Sequence, residues 1–139
     1  MWKVSAEGGN AVEVASAPAT YPLESPDGRY LFFIRKYRLW RSNTDGTAQE
    51  ELKGMPPMKG LGDKWVPFGD GIYFLAALNN KVELNFFDLK TGKTRLIRTL
   101  DGAPPSWMGQ MSISSDGKWL VYPQVDASTT NLMMIEGWH

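Results

Sequence analysis

Apolar positions in this chain come in short runs cut by glycine-containing turns. Three runs follow an Asp-Gly pair: SPDGRYLFFIR around Gly28, FGDGIYFLAAL around Gly71 and SSDGKWLVYPQV around Gly117. The glycines are 43 and 46 residues apart. A second element recurs out of phase with the first: WKVSAEGG from Trp2, LWRSNTDG from Leu39, NFFDLKTG from Asn85 and LMMIEGW from Leu132. Its glycines Gly9, Gly46 and Gly92 are 37 and 46 residues apart. Two markers with a similar period define an internal repeat.

Each period divides into four short strands. In the second, strands are expected over 63–68, 72–78, 82–89 and 94–100, with turns at 69–71, 79–81 and 90–93. Asp-Gly between apolar runs is a hairpin signal. The second strand of each period, such as IYFLAAL, is continuously apolar, as a strand covered on both faces must be. The fourth strands, AQEEL and TRLIRTL, are more polar and suit an outer edge. Four-stranded units of about 40–50 residues, covered on both sides, are the blades of a β-propeller. No window keeps a helical period. The expected fold is all-β: one partial propeller of about three blades. Residues 1–14 end one blade, with a hairpin near Trp2 to Val14; 21–52 and 63–100 are whole blades; 108–136 supply three strands of another.

Propellers usually close with about 4–8 blades. Two ways to cover the ends of the arc follow: the remaining blades of a larger protein, or copies of the same chain. The start inside a blade favours the first, with this chain as a C-terminal portion.

The segments SPDGRYLFF, LWRSNTDG, DGIYFL, FFDLKTGKT and SISSDGKWLVYPQVDASTTNLMMIEG resemble TolB-like propellers with WD-type repeats, over nearly the whole chain. The likeness is to the C-terminal ends of large bacterial proteins, where the propeller follows a winged-helix DNA-binding domain or a serine/threonine kinase domain. It implies a bacterial regulatory context and tilts localisation towards the periplasm. The matched motifs are structural. Asp27-Gly28, Asp70-Gly71 and Asp116-Gly117 are turns, and Trp40, Phe86 and Phe87 are packing residues. None carries a catalytic role across.

Composition changes this picture little. Fifteen basic and fifteen acidic residues cancel, so no general polyanion-binding field exists. There is no cysteine, hence no disulfide or thiolate metal site. No apolar run reaches the roughly 18 residues of a membrane span, and the first residues lack the pattern of a signal peptide. Nucleophile-elbow, P-loop and Rossmann patterns are absent. The sole histidine is His139, the last residue, where a triad would have no rigid support. No cofactor is indicated.

Candidate sites are therefore binding sites. Arg35, Lys36, Arg38 and Arg41 interleave with Tyr37 and Trp40, a basic-aromatic pattern that also occurs in single-strand nucleic-acid platforms. Its place at a hairpin between second and third strands, with zero net charge, favours solvated loop charge, and no direct nucleic-acid contact is expected. Met55/Met58 and Met108/Met111 form two M-x-x-M pairs. Thioethers can hold Cu(I), but without His or Cys the pairs are read as gap-filling core. The linkers between blades, 54–65 and 101–109, are long and rich in Pro, Met and Trp. Variable loops on a rigid scaffold commonly bind, and Trp is enriched in hot spots. Trp65, Trp107, Met108, Arg35 and Arg38 are thus the candidate binding-face residues, for a protein or small ligand. The functional expectation is a non-catalytic binding or sensor module. The alternatives are the propeller part of a peptidase, gating substrate access, and a self-assembling structural propeller.

Overall fold

A computed structural model describes residues 1–16, 18–58, 64–78, 81–101 and 110–123. The described residues form twelve antiparallel strands and no helix. Strands β1 (Trp2–Lys3) and β2 (Val12–Glu13) make a hairpin. Strands β3 (Thr20–Glu24), β4 (Tyr30–Arg35), β5 (Arg38–Asn43) and β6 (Glu50–Glu51) make a four-stranded sheet in chain order. Strands β7 (Trp65–Phe68), β8 (Gly71–Leu78), β9 (Lys81–Asp88) and β10 (Lys93–Leu100) make a second. A short hairpin of β11 (Ser112–Ile113) and β12 (Leu120–Val121) follows. The arc is thus two complete blades flanked by two-stranded sheets. The third strand expected for the last blade, within 108–136, and residues 102–109 of the 101–109 linker lie outside the described residues.

The apolar second strands sit in the middle of their sheets because both faces are covered. Phe32, Phe33 and Ile34 are consecutive and all buried. Alternation sends Phe32 and Ile34 to one side and Phe33 to the other. The first pair joins Leu39, Leu52, Met55 and Met58 against Trp65, Ile72, Phe74 and Phe87, so the main core lies between the two blades. Leu75, next to Phe74 but on the opposite face, belongs to a second core with Val82 and Met111, backed by Leu120 and Tyr122. Blade packs on blade, as the repeat requires. Strand β10 is exposed along nearly all its length and carries a bulge between Leu96 and Arg98, which suits an outer edge.

Two of the three Asp-Gly turns are the same object. Ser25 Oγ donates to Asp27 Oδ1 at 2.6 Å, Arg29 N donates to the same oxygen at 3.1 Å, and Tyr30 N donates to Ser25 Oγ at 2.9 Å. Ser114, Asp116, Lys118 and Trp119 repeat this at 2.6, 3.1 and 3.0 Å. Gly28 and Gly117 take φ of +70° and +72°, which glycine reaches without a Cβ clash. The third turn differs, and here the expectation needs correction. Gly69, with φ +57°, takes the left-handed position, and Gly71 is already the first residue of β8, paired with Phe68. Asp70 caps nothing with its side chain; its backbone oxygen instead accepts from Leu89 N at 3.0 Å.

The out-of-phase repeat also shifts by one residue. Gly8 N donates to Ser5 O at 3.0 Å as Gly46 N does to Asn43 O at 2.9 Å. Trp2 pairs with Glu13 as Trp40 pairs with Glu51. Trp2 is therefore the counterpart of Trp40, and Gly8, not Gly9, that of Gly46. The GG pair in the sequence hid this offset.

Candidate functional site

The residues picked from the sequence do not gather into one surface. Trp65 is a correction: it is 1% exposed, with its ring edge-on to Phe32 at 6.5 Å. As the first residue of β7 it turns inward to fill the seam between blades, so it is not available on the linker face. Trp107 and Met108 lie outside the described residues. Arg35 is spent within its own sheet. It stacks over Phe33 and Trp40 at 5.2 and 4.9 Å and donates to Gln49 Oε1 at 2.8 Å. Arg38 faces Glu51 at 3.9 Å and donates to the Met55 carbonyl at 3.5 Å. The tip between them, Lys36-Tyr37, holds two non-glycine residues at φ +50° and +62°. That is type I′ hairpin geometry, and each left-handed residue costs about 1–2 kcal/mol. Met55, Met58 and Met111 are buried core residues. Among the described residues no group of three or more His, Cys, Asp or Glu could hold a metal ion. No helix among them is long and apolar enough to cross a membrane.

The turns that the sequence marked as structural build a concavity. A cleft of about 660 Å³ opens between the turn ends of the two complete blades. Its apolar lining includes Tyr30, Phe32, Pro67 and Leu89, and its polar rim includes Asp27, Arg41, Asp70, Asp88 and Lys90. The volume lies in the range of ligand sites, roughly 300–1,000 Å³. Strand alternation puts these residues together. The β3–β4, β7–β8 and β9–β10 turns all fall at the same end of their sheets. The sequence marks these segments as turns and carries no separate sign that they border a cleft.

Electrostatics fixes most of the rim. Arg41 crosses the Tyr30 ring at 4.6 Å and bonds to Glu50; Arg29 lies over the same ring at 5.6 Å. The Asp27 carboxyl is pushed down from 3.8 to about 2, first by the Ser25 hydroxyl and then by Arg29. Asp88 is lowered by the backbone N–H of Thr91, with Lys90 N adding a second bond; these lie at 2.7 and 2.9 Å. Asp45 and Asp116 are lowered by the same kind of turn bonding, led by Thr47 and Ser114. Asp70 makes no side-chain bond and faces the cleft open.

A pH dependence follows. A carboxyl whose folded pKa lies below its unfolded value stabilises the fold fully above the unfolded value, and that contribution disappears as pH falls through the folded one. For Asp27 the window runs from near 3.8 down to about 2. Urea midpoints taken from pH 5 to pH 2 should fall with acid, and less steeply in Asp27→Asn than in the parent. Equal slopes would show that the Ser25–Asp27–Arg29 turn contributes nothing.

No family model matches the sequence, and no curated protein matches it. The fold matches the crystal structure of TolB from Acinetobacter baumannii, with a TM-score of 0.65 and 18% identity. The match covers 86% of this chain and 30% of that one, so the chain spans less than a third of that protein's length. At this identity the likeness is one of fold: the chain has a TolB-like propeller architecture.

Proposed function

We propose that this chain is a non-catalytic recognition module that takes a segment of a partner protein into the cleft between its two complete blades. The observation carrying this reading is the cleft itself: an apolar floor at Tyr30, Phe32 and Leu89 inside a charged rim with one open carboxylate, Asp70. An apolar pocket with a few placed polar groups is the usual form of a binding site. The rim's other aspartates argue against acid–base chemistry. A general base works best with a pKa near the operating pH, and Asp27 and Asp88 are held below the ordinary carboxylate range by their own turns. Resemblance in sequence to propellers of large bacterial regulators supports placing the module in a regulatory setting.

The test is amide chemical-shift mapping with a panel of random tetrapeptides. Binding should move the amides of Tyr30, Gly69, Gly71 and Leu89 and leave those of Lys36 and Tyr37 in place. Arg41→Ala, which uncovers one face of Tyr30, should change the affinity. Shifts confined to the Lys36-Tyr37 end, or none, would sink the reading.

A further inference from the structure

The aspartates of the three Asp-Gly turns differ in what their chain neighbours can do for them. Asp27 has a hydroxyl two residues before it, Ser25, and a cation two residues after it, Arg29. Asp116 has Ser114 and Lys118 in the same places. Both sets close on the carboxylate. Ser25 Oγ and Ser114 Oγ each donate to it at 2.6 Å, and Arg29 and Lys118 pair with it at 2.6 and 3.4 Å. At Asp70 those two places hold Phe68 and Ile72, which can do neither. The cause is the length of the turn. Strands β7 and β8 run on to pair Phe68 with Gly71 and Pro67 with Ile72, so the positions that hold partners elsewhere are drawn into the sheet. Among the described residues no side chain bonds Asp70.

The other charges around the cleft balance one another. Arg29 holds Asp27, Arg41 holds Glu50, and Lys90 adds its charge beside Asp88. Asp70 is the acid left over. It is exposed, on the rim of the cleft that Tyr30, Phe32, Pro67 and Leu89 floor. Its neighbours Gly69 and Gly71 bring no side chains, and a Cβ at Gly69 would meet nothing within 4 Å, so the approach on that side is open. The Tyr30 ring already has Arg41 and Arg29 over it, at 4.6 and 5.6 Å. An incoming cation therefore finds its complement at Asp70 and not on the ring.

We infer that the partner segment taken into this cleft carries a lysine or arginine beside an apolar side chain. The cation meets Asp70, and the apolar group covers Tyr30 and Leu89. This deepens the recognition reading and rests on it. An acidic segment would bring like charge to Asp70, while Arg29 and Arg41 are held by carboxylates of their own chain. A wholly apolar segment would cover the floor and leave Asp70 without a partner. Because Asp70 is exposed, water stays around the pair, and the pair sets preference more than strength of binding. The apolar contact supplies the rest.

Four end-blocked peptides test this: Gly-Phe-Lys-Gly, Gly-Phe-Glu-Gly, Gly-Gly-Lys-Gly and Gly-Phe-Lys-Gly with norleucine for lysine. Each is titrated into the chain and followed by amide chemical shifts. In low salt the lysine peptide should bind about fivefold more tightly than the norleucine one, the upper end for an exposed ion pair. The gap should narrow as added salt shortens the screening length. The glutamate peptide should bind most weakly. Asp70→Asn should remove the preference, and Asp70→Lys should reverse it towards glutamate. Glu83→Gln, near the other end of β9, changes net charge as much as Asp70→Asn and should leave the preference as it is. Shifts at Tyr30 and Leu89 without a charge preference, or a preference that survives Asp70→Asn, overturn this inference and leave the recognition reading standing. So does a Gly-Gly-Lys-Gly peptide that binds as tightly as Gly-Phe-Lys-Gly, because the cleft then takes a cation alone. If no peptide moves the Tyr30 or Leu89 amides, the recognition reading fails and this inference fails with it.

Discussion

Replacing Trp65 by alanine is expected to lower stability by about 3–5 kcal/mol, the cost of deleting a large buried aromatic. The ring is closed off from solvent between two sheets, edge-on to Phe32 and within the cluster that holds Ile72, Phe74 and Phe87. Its neighbours sit on two different blades. Filling the void would require the blades to slide over one another, which the strand ladders on each side resist. Domains of this kind have only about 5–15 kcal/mol in total, so the variant should be largely unfolded at moderate urea. Urea denaturation followed by circular dichroism measures it. Trp65→Phe should recover much of the loss. A surface binding residue would behave differently: truncation would weaken partner affinity and leave the urea midpoint unchanged. A loss below about 1 kcal/mol would therefore put Trp65 outside the seam that holds the blades together.

Strand identity was legible because each strand type has its own chemical constraint. The runs at Phe32–Ile34 and Ile72–Leu75 lack polar interruption, and only a strand covered on both faces tolerates that. Strand β10, with exposed Arg95 and Arg98, could only be an edge. In the second blade the expected starts at 72, 82 and 94 fall one residue inside the observed Gly71, Lys81 and Lys93. Less legible was anything set by contact between blades. Trp65 lies where a linker rich in Pro and Met meets the strand expected over 63–68, and local sequence gives no sign that its indole turns inward. The cleft had the same obstacle. Its lining comes from segments about 40–60 residues apart, brought together by the packing of two sheets, and no single segment looks like a site.

The glycines of the FGDG turn separate local from non-local information, and their substitution should rank against the sequence. Read along the chain, Gly71 is the turn residue, equivalent to Gly28 and Gly117. In space it is the strand residue that lets β9 come close. A Cβ on Gly71 would sit 2.3 Å from the Phe86 ring and 2.4 Å from the Phe87 backbone oxygen. The ring has little room to yield. It meets the Tyr73 ring edge-on at 4.8 Å with Arg95 over it, also at 4.8 Å. The backbone oxygen belongs to the β8–β9 ladder, where Ile72 pairs with Phe87. Gly71→Ala should therefore cost about 3 kcal/mol, at the upper end of overpacking. A Cβ on Gly69 would meet nothing within 4 Å. Its φ of +57° is the only penalty, about 1–2 kcal/mol for a left-handed alanine. Thermal or urea unfolding of the two variants side by side gives the order. Gly71→Ala should also move the Tyr73 and Phe86 resonances, because the clash is with that ring pair, while Gly69→Ala should leave them. If Gly69→Ala proves the more damaging, the turn conformation limits this hairpin, and the close approach of β9 to Gly71 does not.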